Sequence, residues 1–337
     1  VRAHAIEHLG SQRLSRYRFR NYLFQKYLYD SLDNVERTYL HEDVANALEG
    51  LYREQTSGAA DTAATAAIAV QLARHFQEAG VAEQAIHYLH QAGDRAIQLS
   101  AYQEGKAHFS TGLALVETLP DTVQRAQQEL ALLASLNVLL GNTLSLASPE
   151  VGTVLERAWE LCQQLQDAPQ RFLVMLMLSI RQGTRGEYQA ARETLEKVFD
   201  LAELAERPWD LALAHHAMGW LLAGLGEFVP ALEHAERAGD LYAPQPHDTV
   251  AVLIGIDPGV QCRTAAARTL WFLGYPEQAL KRSREALALT EELDHAYSLV
   301  DALSTGGAMV HLVLRDLDIA QAQAEASLAL ASEYEFR

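Results

Sequence analysis

A four-position pattern recurs along this chain and restricts its fold more than any other feature. A glycine is followed by small or apolar residues five, nine and twelve positions on. Clear copies are Gly80/Ala85/Leu89/Ala92, Gly186/Ala191/Leu195/Val198, Gly226/Ala231/Ala235/Ala238 and Gly274/Ala279/Ser283/Ala286. Degenerate copies are Ser100/Gly105/Phe109/Gly112, Leu146/Val151/Leu155/Ala158 and Arg315/Ala320/Ala324/Ser327. Seven residues before the anchor another small residue often stands: Ala73, Ser179, Gly219, Ala267 and Ala308.

Spacings of four and three keep the last three positions on one face of a helix. The glycine ends the preceding helix, because it accepts the left-handed backbone of a tight turn. Small residues let two helix axes approach closely, and larger ones fill the gap to the next pair. One pair cannot bury its own apolar face, so pairs must stack. The expected fold is all-α, an α-α superhelix of helix-turn-helix repeats.

The anchors at 146, 186, 226, 274 and 315 lie 40, 40, 48 and 41 residues apart, a period of about 40. The long interval holds an insert, "APQPHDTVAVLIGIDPGV" (243–260), in which Asp257-Pro258 is expected to start the next helix. The step from Gly80 to Ser100 is only 20 residues and leaves the register open; one helix serving two repeats would account for it.

Composition agrees with a folded helical chain. Of 337 residues 49% are hydrophobic and 21% charged, with only 20 glycines and 9 prolines. The net charge of −17 argues against nucleic acid or an anionic membrane as a partner of most of the chain. Residues 1–30 differ, carrying Arg2, Arg13, Arg16, Arg18, Arg20 and Lys26 against Glu7 and Asp30. That stretch reads first as a solvated face or a contact to an acidic neighbouring domain, and second as a phosphate contact. Cys162 and Cys262 are too far apart for metal-finger spacing and suggest buried thiols in a reducing compartment. No apolar run approaches bilayer length, and the start has no signal-peptide pattern. It reads as a cut inside a longer protein, and the expected location is cytoplasmic.

Motifs for chemistry are missing from the sequence. There is no G-x-x-x-x-G-K-[ST], G-x-G-x-x-G or G-x-S-x-G. "HEDVA" (41–45) places Ala45 where a zinc-protease helix needs its second histidine. His87 and His90 share a helix face with Glu83, but no further ligand pattern follows, and an exposed polar face explains them better. His215 and His216 point to different faces of one helix. No pair of carboxylates stands out as acid and base. The chain is therefore expected to be non-catalytic, with no catalytic, cofactor-binding or metal-binding residues.

The segment Ala212 to Tyr242, with Gly219, Leu222, Gly226, Phe228, Ala231 and Ala238 in frame, resembles the tetratricopeptide repeat. That repeat has a shorter period of about 34 residues. Four further blocks resemble one family in order: "YRFRNYLFQKYLYDSLDNVERTYLHEDVANALEGLY" (17–52), "VQLARHFQEAG" (70–80), "AIHYLHQAGDRAIQLSAYQEGKAHFSTGLALVETLPD" (85–121) and "LYAPQPHDTVAVLIGIDPGVQCRTAAARTLWFLGYPEQALKRSREALAL" (241–289). The family is the tetratricopeptide region of bacterial AAA/STAND-type signalling ATPases fused to class III adenylate or guanylate cyclases. Asn21 stands where that family usually has histidine.

The resemblance implies a division into the end of a winged-helix region (1–53), a linker (54–65) and a repeat domain (66–337). It implies a regulatory module that binds a protein or peptide partner in a concave groove and touches an upstream ATPase domain within the same protein. The alternative it implies is a small-molecule sensor, which a closed pocket lined by Trp220, Trp271 and the insert would mark. In tetratricopeptide superhelices the first helix of each pair lines the groove. Carried over position by position, that frame gives Arg74, Gln77, His216, Trp220, Arg268, Trp271 and Met309 as partner-binding residues. Trp271 and the adjacent Phe272 could equally pack against a neighbouring repeat. The final "ASEYEFR" (331–337) lacks a polar capping helix, so either the chain continues or a second copy covers this end in a homo-oligomer.

Overall fold

All four anchor glycines adopt the left-handed backbone the pattern requires, with φ of 72° at Gly80, 81° at Gly186, 80° at Gly226 and 85° at Gly274. Arg315, anchor of a degenerate copy, does the same at φ 66°. The turns share one bonding scheme: Gly226 N donates to Ala223 O and Glu227 N to Leu222 O, as Arg315 N does to Leu312 O and Asp316 N to His311 O. The longer of these two bonds spans a complete helix end and satisfies a carbonyl that would otherwise be orphaned.

These coordinates come from a computed structural model, which describes residues 2–9, 12–18, 21–53, 61–99, 101–165, 170–242, 256–293 and 295–334. Side chains are described for these residues except 2–18, 51–53, 61–67 and 142. By packing, the chain divides into two units, residues 1–95 with 107–121, and residues 96–106 with 122–337.

The first unit opens with two strands, β1 (Arg2–Leu9) and β2 (Gln12–Arg18), paired antiparallel from Leu9↔Gln12 to Arg2↔Arg18. This hairpin lies within the stretch that the sequence resemblance assigns to the end of a winged-helix region, and the other elements of the described residues are helical. Its signal was present as Gly10-Ser11, a two-residue hairpin turn in sequence. Helix α1 (Tyr22–Ser31) is capped by Asn21, whose side chain accepts from Leu23 N at 2.9 Å. Asn21 thus has a local role of its own at the position where the resembled family carries histidine. Helix α2 (Asn34–Arg53) starts with a reciprocal capping box, Asp33 N to Glu36 Oε2 and Glu36 N to Asp33 Oδ1.

Helices α3 (Asp61–Glu78) and α4 (Ala82–Gln98) form a pair, followed by α5 (Tyr102–Val116). Ala45 of α2 enters one apolar cluster with Leu72, Phe76, Tyr88 and Leu89 of that pair. Tyr29 Oη, His41 and His75 are hydrogen-bonded in series at 2.8 Å each, joining α1, α2 and α3. The α2 helix and the first repeat therefore share a core, where the sequence suggested a boundary. Residues 54–60 of the expected linker lie outside the described residues. On its other side α4 receives Phe109 of α5, whose ring lies where a Cβ at Gly93 would stand. One helix thus packs against the repeats before and after it.

The second unit stacks five pairs: α6 (Val123–Thr143) with α7 (Pro149–Gln164), α8 (Arg171–Thr184) with α9 (Tyr188–Ala205), and α10 (Pro208–Gly224) with α11 (Phe228–Leu241). Then come α12 (Pro258–Phe272) with α13 (Pro276–Leu293), and α14 (Ala296–Asp301), a π-helical turn (Ala302–Ala308) and α15 (Met309–Val313) with α16 (Leu317–Glu333). The pattern positions are the core. Ala191, Leu195 and Val198 are 0%, 1% and 0% exposed, and their counterparts in the neighbouring pairs are buried too. Gly219 shows why small residues recur there, since an added Cβ would sit 3.1 Å from Ala231 O and 3.4 Å from Ala235 N. Burying such a face of alanine and leucine against the next pair is the main stabilising term.

Residues 243–255 of the insert lie outside the described residues, but both of its flanks are fixed. Asp257 caps α12, accepting from Val260 N at 3.1 Å, and Pro258 is the first helical residue. Tyr242 Oη donates to Asp257 Oδ2 at 3.0 Å across the base of the insert. Cys162 and Cys262 are buried free thiols, pushed up by desolvation to about 11 and about 12, which keeps them protonated. Among the described residues no helix is long and apolar enough to cross a membrane.

Candidate functional site

The first helices of successive pairs meet around Trp220. Two cavities flank this side chain, and Thr184 and Trp220 line both. The indole lies over Gly183, where a Cβ would come within 2.6 Å of Trp220 Cζ3. A glycine one residue from the end of α8 is thus what admits the ring.

The first cavity has a volume of about 240 Å³ and draws on α6, α8, α10, α12 and α14. Leu146, Met177, Ile180 and Ile256 give it apolar walls, while Asn137, His216, Gln261 and Tyr297 supply polar groups. Asn137 is 3% exposed, and its Oδ1 has no hydrogen-bond partner among the described residues. His216 Nδ1 has none either. His216 is half-buried, and desolvation, helped by the Arg268 charge, pushes its pKa down to about 4. The imidazole is therefore neutral near pH 7. Buried polar atoms without partners are uncommon in folded proteins and are costly. Here two of them belong to side chains that line one cavity.

The second cavity, about 380 Å³, is lined by Tyr188, Arg268, Phe272 and Met309 besides Thr184 and Trp220. Arg268 makes no hydrogen bond or ion pair among the described residues, and its charge is felt by His216 and Asp301. Asp301 is half-buried, accepting from Thr305 Oγ1 at 2.7 Å and Thr264 Oγ1 at 3.1 Å. Desolvation raises the Asp301 pKa against these hydrogen bonds and Arg268. The π-helical turn begins at the next residue, a kind of irregularity that often occurs at functional sites.

Four of the residues expected to meet a partner are brought together here: His216, Trp220, Arg268 and Met309. Trp271 is placed differently. It packs on Ala267, Leu270, Ala279 and Val310, joining the α12/α13 pair to α15. Its neighbour Phe272 is 47% exposed, stacks on Phe228 at 4.6 Å and lines the second cavity. Arg74 and Gln77 lie on the exposed side of α3 in the first unit.

His215 and His216 diverge as the helical step dictates. His215 Nδ1 faces His234 Nδ1 of α11 at 2.9 Å, away from the cavity that His216 lines. His87 bonds Gln91 at 2.9 Å, and His90 Nε2 lies 3.6 Å from Asp94. Among the described residues no group of three His, Cys, Asp or Glu is placed to hold a metal ion. Sequence reasoning missed Asn137, Gly183, Tyr188 and Tyr297. Asn137 alone had a readable signal, as the one amide in the apolar run "LASLNVLLG" (133–141).

No protein-family model matches the chain, and no curated protein matches it in sequence. Solved structures do. A Rap protein complexed with competence and sporulation factor aligns with a TM-score of 0.53 at 10% identity, over 88% of this chain and 97% of that one. A Signal Transduction ATPase with Numerous Domains from Pyrococcus horikoshii, which has a tetratricopeptide repeat sensor, aligns with a TM-score of 0.51 at 12% identity. That alignment covers 91% of this chain but only 48% of the ATPase, so the chain spans about half the length of that protein. The fold is an all-α superhelix of tetratricopeptide-like repeats. Identities this low establish the fold alone.

Proposed function

We propose that this chain is a regulatory interaction module that binds a peptide segment of a partner across the first helices of its repeats. The observation that carries this reading is the pair of cavities sharing Trp220, with an unpaired Arg268 and the exposed side chains of Phe272 and Met309 around the second. Aromatic and arginine side chains around concave pockets are typical anchors of protein recognition. The fold likeness to a protein crystallised with competence and sporulation factor, and to an ATPase with a repeat sensor, supports the same reading. A smaller cavity than the roughly 300–1,000 Å³ of small-molecule sites favours a peptide side chain over a whole metabolite as the occupant of the first cavity.

By its sequence resemblance, the module belongs to a larger bacterial signalling protein of the cytoplasm, with an ATPase and a nucleotide cyclase as its other parts. Residues 1–53 are the end of a winged-helix region, and they couple partner binding to the ATPase by population shift. The module itself carries out no chemistry. The test is to select binders from a library of random peptides displayed on phage and follow hydrogen exchange with and without them. Protection across α8, α10 and α12 is expected on binding, and a change within residues 21–53 is expected if the relay exists. Recovery of no binding peptide would remove the reading, and binding without any change in 21–53 would remove the relay.

A further inference from the structure

The cavity behind Trp220 is selective as well as hollow. Its volume of about 240 Å³ suits one bulky side chain. Its walls are apolar and aromatic, with Trp220 on one side and Tyr297 among the lining residues. Its polar groups are uncharged: His216 is neutral near pH 7, and Asn137 and Gln261 are amides. Asn137 Oδ1 is an acceptor without a donor. Two cations lie behind its lining residues, Arg181 bonded to Leu146 and Arg268 acting on His216, and both oppose a positively charged guest. Arg181 is buried and donates to Ser148 O at 2.9 Å and to Leu146 O, and Leu146 is itself a wall of the cavity. Arg268 lies on the far side of Trp220 with no carboxylate bonded to it.

We infer that this cavity takes a tyrosine side chain of the partner peptide, with an acidic residue next to that tyrosine held at Arg268. This deepens the peptide-binding reading and rests on it. Each part of the guest answers one feature of the host. The ring matches the apolar walls and can pack on the indole. The phenol hydroxyl donates its one hydrogen to Asn137 Oδ1, which lacks a donor, and its oxygen can accept from the N–H of the neutral imidazole. The acidic neighbour gives the Arg268 guanidinium the paired, charge-assisted hydrogen bonds it does not make within this chain. Phenylalanine would fill the space but leave the buried acceptor unpaired. A lysine or arginine would bring a charge into a site with no carboxylate among its lining residues.

Peptides selected on the purified chain, and their Tyr→Phe and acid→Lys derivatives, are compared by fluorescence anisotropy. The expected motif is a tyrosine beside an aspartate or glutamate, and Tyr→Phe weakens binding about tenfold. In Asn137→Leu, which keeps an apolar wall, the tyrosine and phenylalanine peptides bind alike. In Arg268→Gln the acid preference disappears while the tyrosine preference remains. Circular dichroism confirms that each variant is folded, and a variant that does not fold leaves the wild-type peptide comparison to decide. Binding peptides with no tyrosine preference, or with a basic anchor, overturn the inference and leave the peptide-binding reading intact. If no peptide binds at all, N-acetyl-tyrosinamide is titrated while the Trp220 indole resonance is observed. A saturable shift that N-acetyl-phenylalaninamide does not produce supports the anchor without the peptide reading, and no shift overturns it.

Discussion

Arg315 occupies a glycine's place, and exchanging it tests the turn logic of the whole repeat. Its backbone is left-handed at φ 66°, and its two turn hydrogen bonds, 3.1 and 2.9 Å, match those of Gly226. For an L-residue with a Cβ this conformation costs roughly 1–2 kcal/mol. Glycine avoids that cost but loses about 0.4–1 kcal/mol more on ordering the unfolded chain. The Arg315 side chain is exposed, with no hydrogen bond or ion pair among the described residues, so little else changes on its removal. Arg315→Gly is thus expected to stabilise by about 1 kcal/mol, and Gly226→Ala to destabilise by about the same. In a unit of this size that is a shift of roughly 2–4 °C in melting temperature, upward for the first and downward for the second. Urea titration of both variants, with hydrogen exchange resolving α16, measures it. An Arg315→Gly protein that is less stable than the parent would refute the reasoning.

The remaining expectations concern packing and the site. Leu195→Ala empties a position 1% exposed in the α8–α11 core and should cost about 3–5 kcal/mol in denaturant unfolding. Gly183→Ala places a methyl group 2.6 Å from Trp220 and should displace the indole, weakening peptide binding and costing roughly 1–3 kcal/mol of stability. The reporter would be the Trp220 indole resonance. His215 faces His234 and Arg237, and desolvation, then these charges, hold its pKa down to about 4 against 6.5 when unfolded. The unfolded chain therefore binds the proton first: the His215 contribution is complete above about pH 6.5 and is lost as pH falls toward about 4. Asp210 and Asp301, whose pKa values are raised, act in the opposite sense over acid pH. The difference between wild type and His215→Gln isolates the histidine: the variant's stability should fall less between pH 7 and roughly pH 5. Equal pH profiles would show that His215 does not titrate as placed.

The repeat was legible because it is written in backbone constraints. Gly80, Gly186, Gly226 and Gly274 can be read as turns from identity alone, and Ala231, Ala235 and Ala238 as a close-packed face from spacing alone. The same grammar put His216, Trp220, Arg268 and Met309 on first helices, which is why they converge. It could not separate Trp271 from Phe272. Adjacent positions on a helix differ by about 100°, and which of them meets the next repeat depends on how the pairs are rotated when stacked. Nor could it give Gly183 or Tyr297 a role, since each matters only through a side chain far away in sequence. The strand pair at 2–18 was overlooked because the helical period dominated the rest of the chain. The sharing of one core by α2, α3 and α4 depends on Ala45 and the histidine pair His41 and His75, whose partners are more than twenty residues distant.

The most direct measurement of the central claim is amide hydrogen exchange on the second unit with a saturating selected peptide. A groove formed by first helices predicts slowed exchange in α8, α10 and α12, strongest beside Trp220, with α9, α11 and α13 unchanged. Protection confined to the second helices, or to none of the repeats, would contradict it.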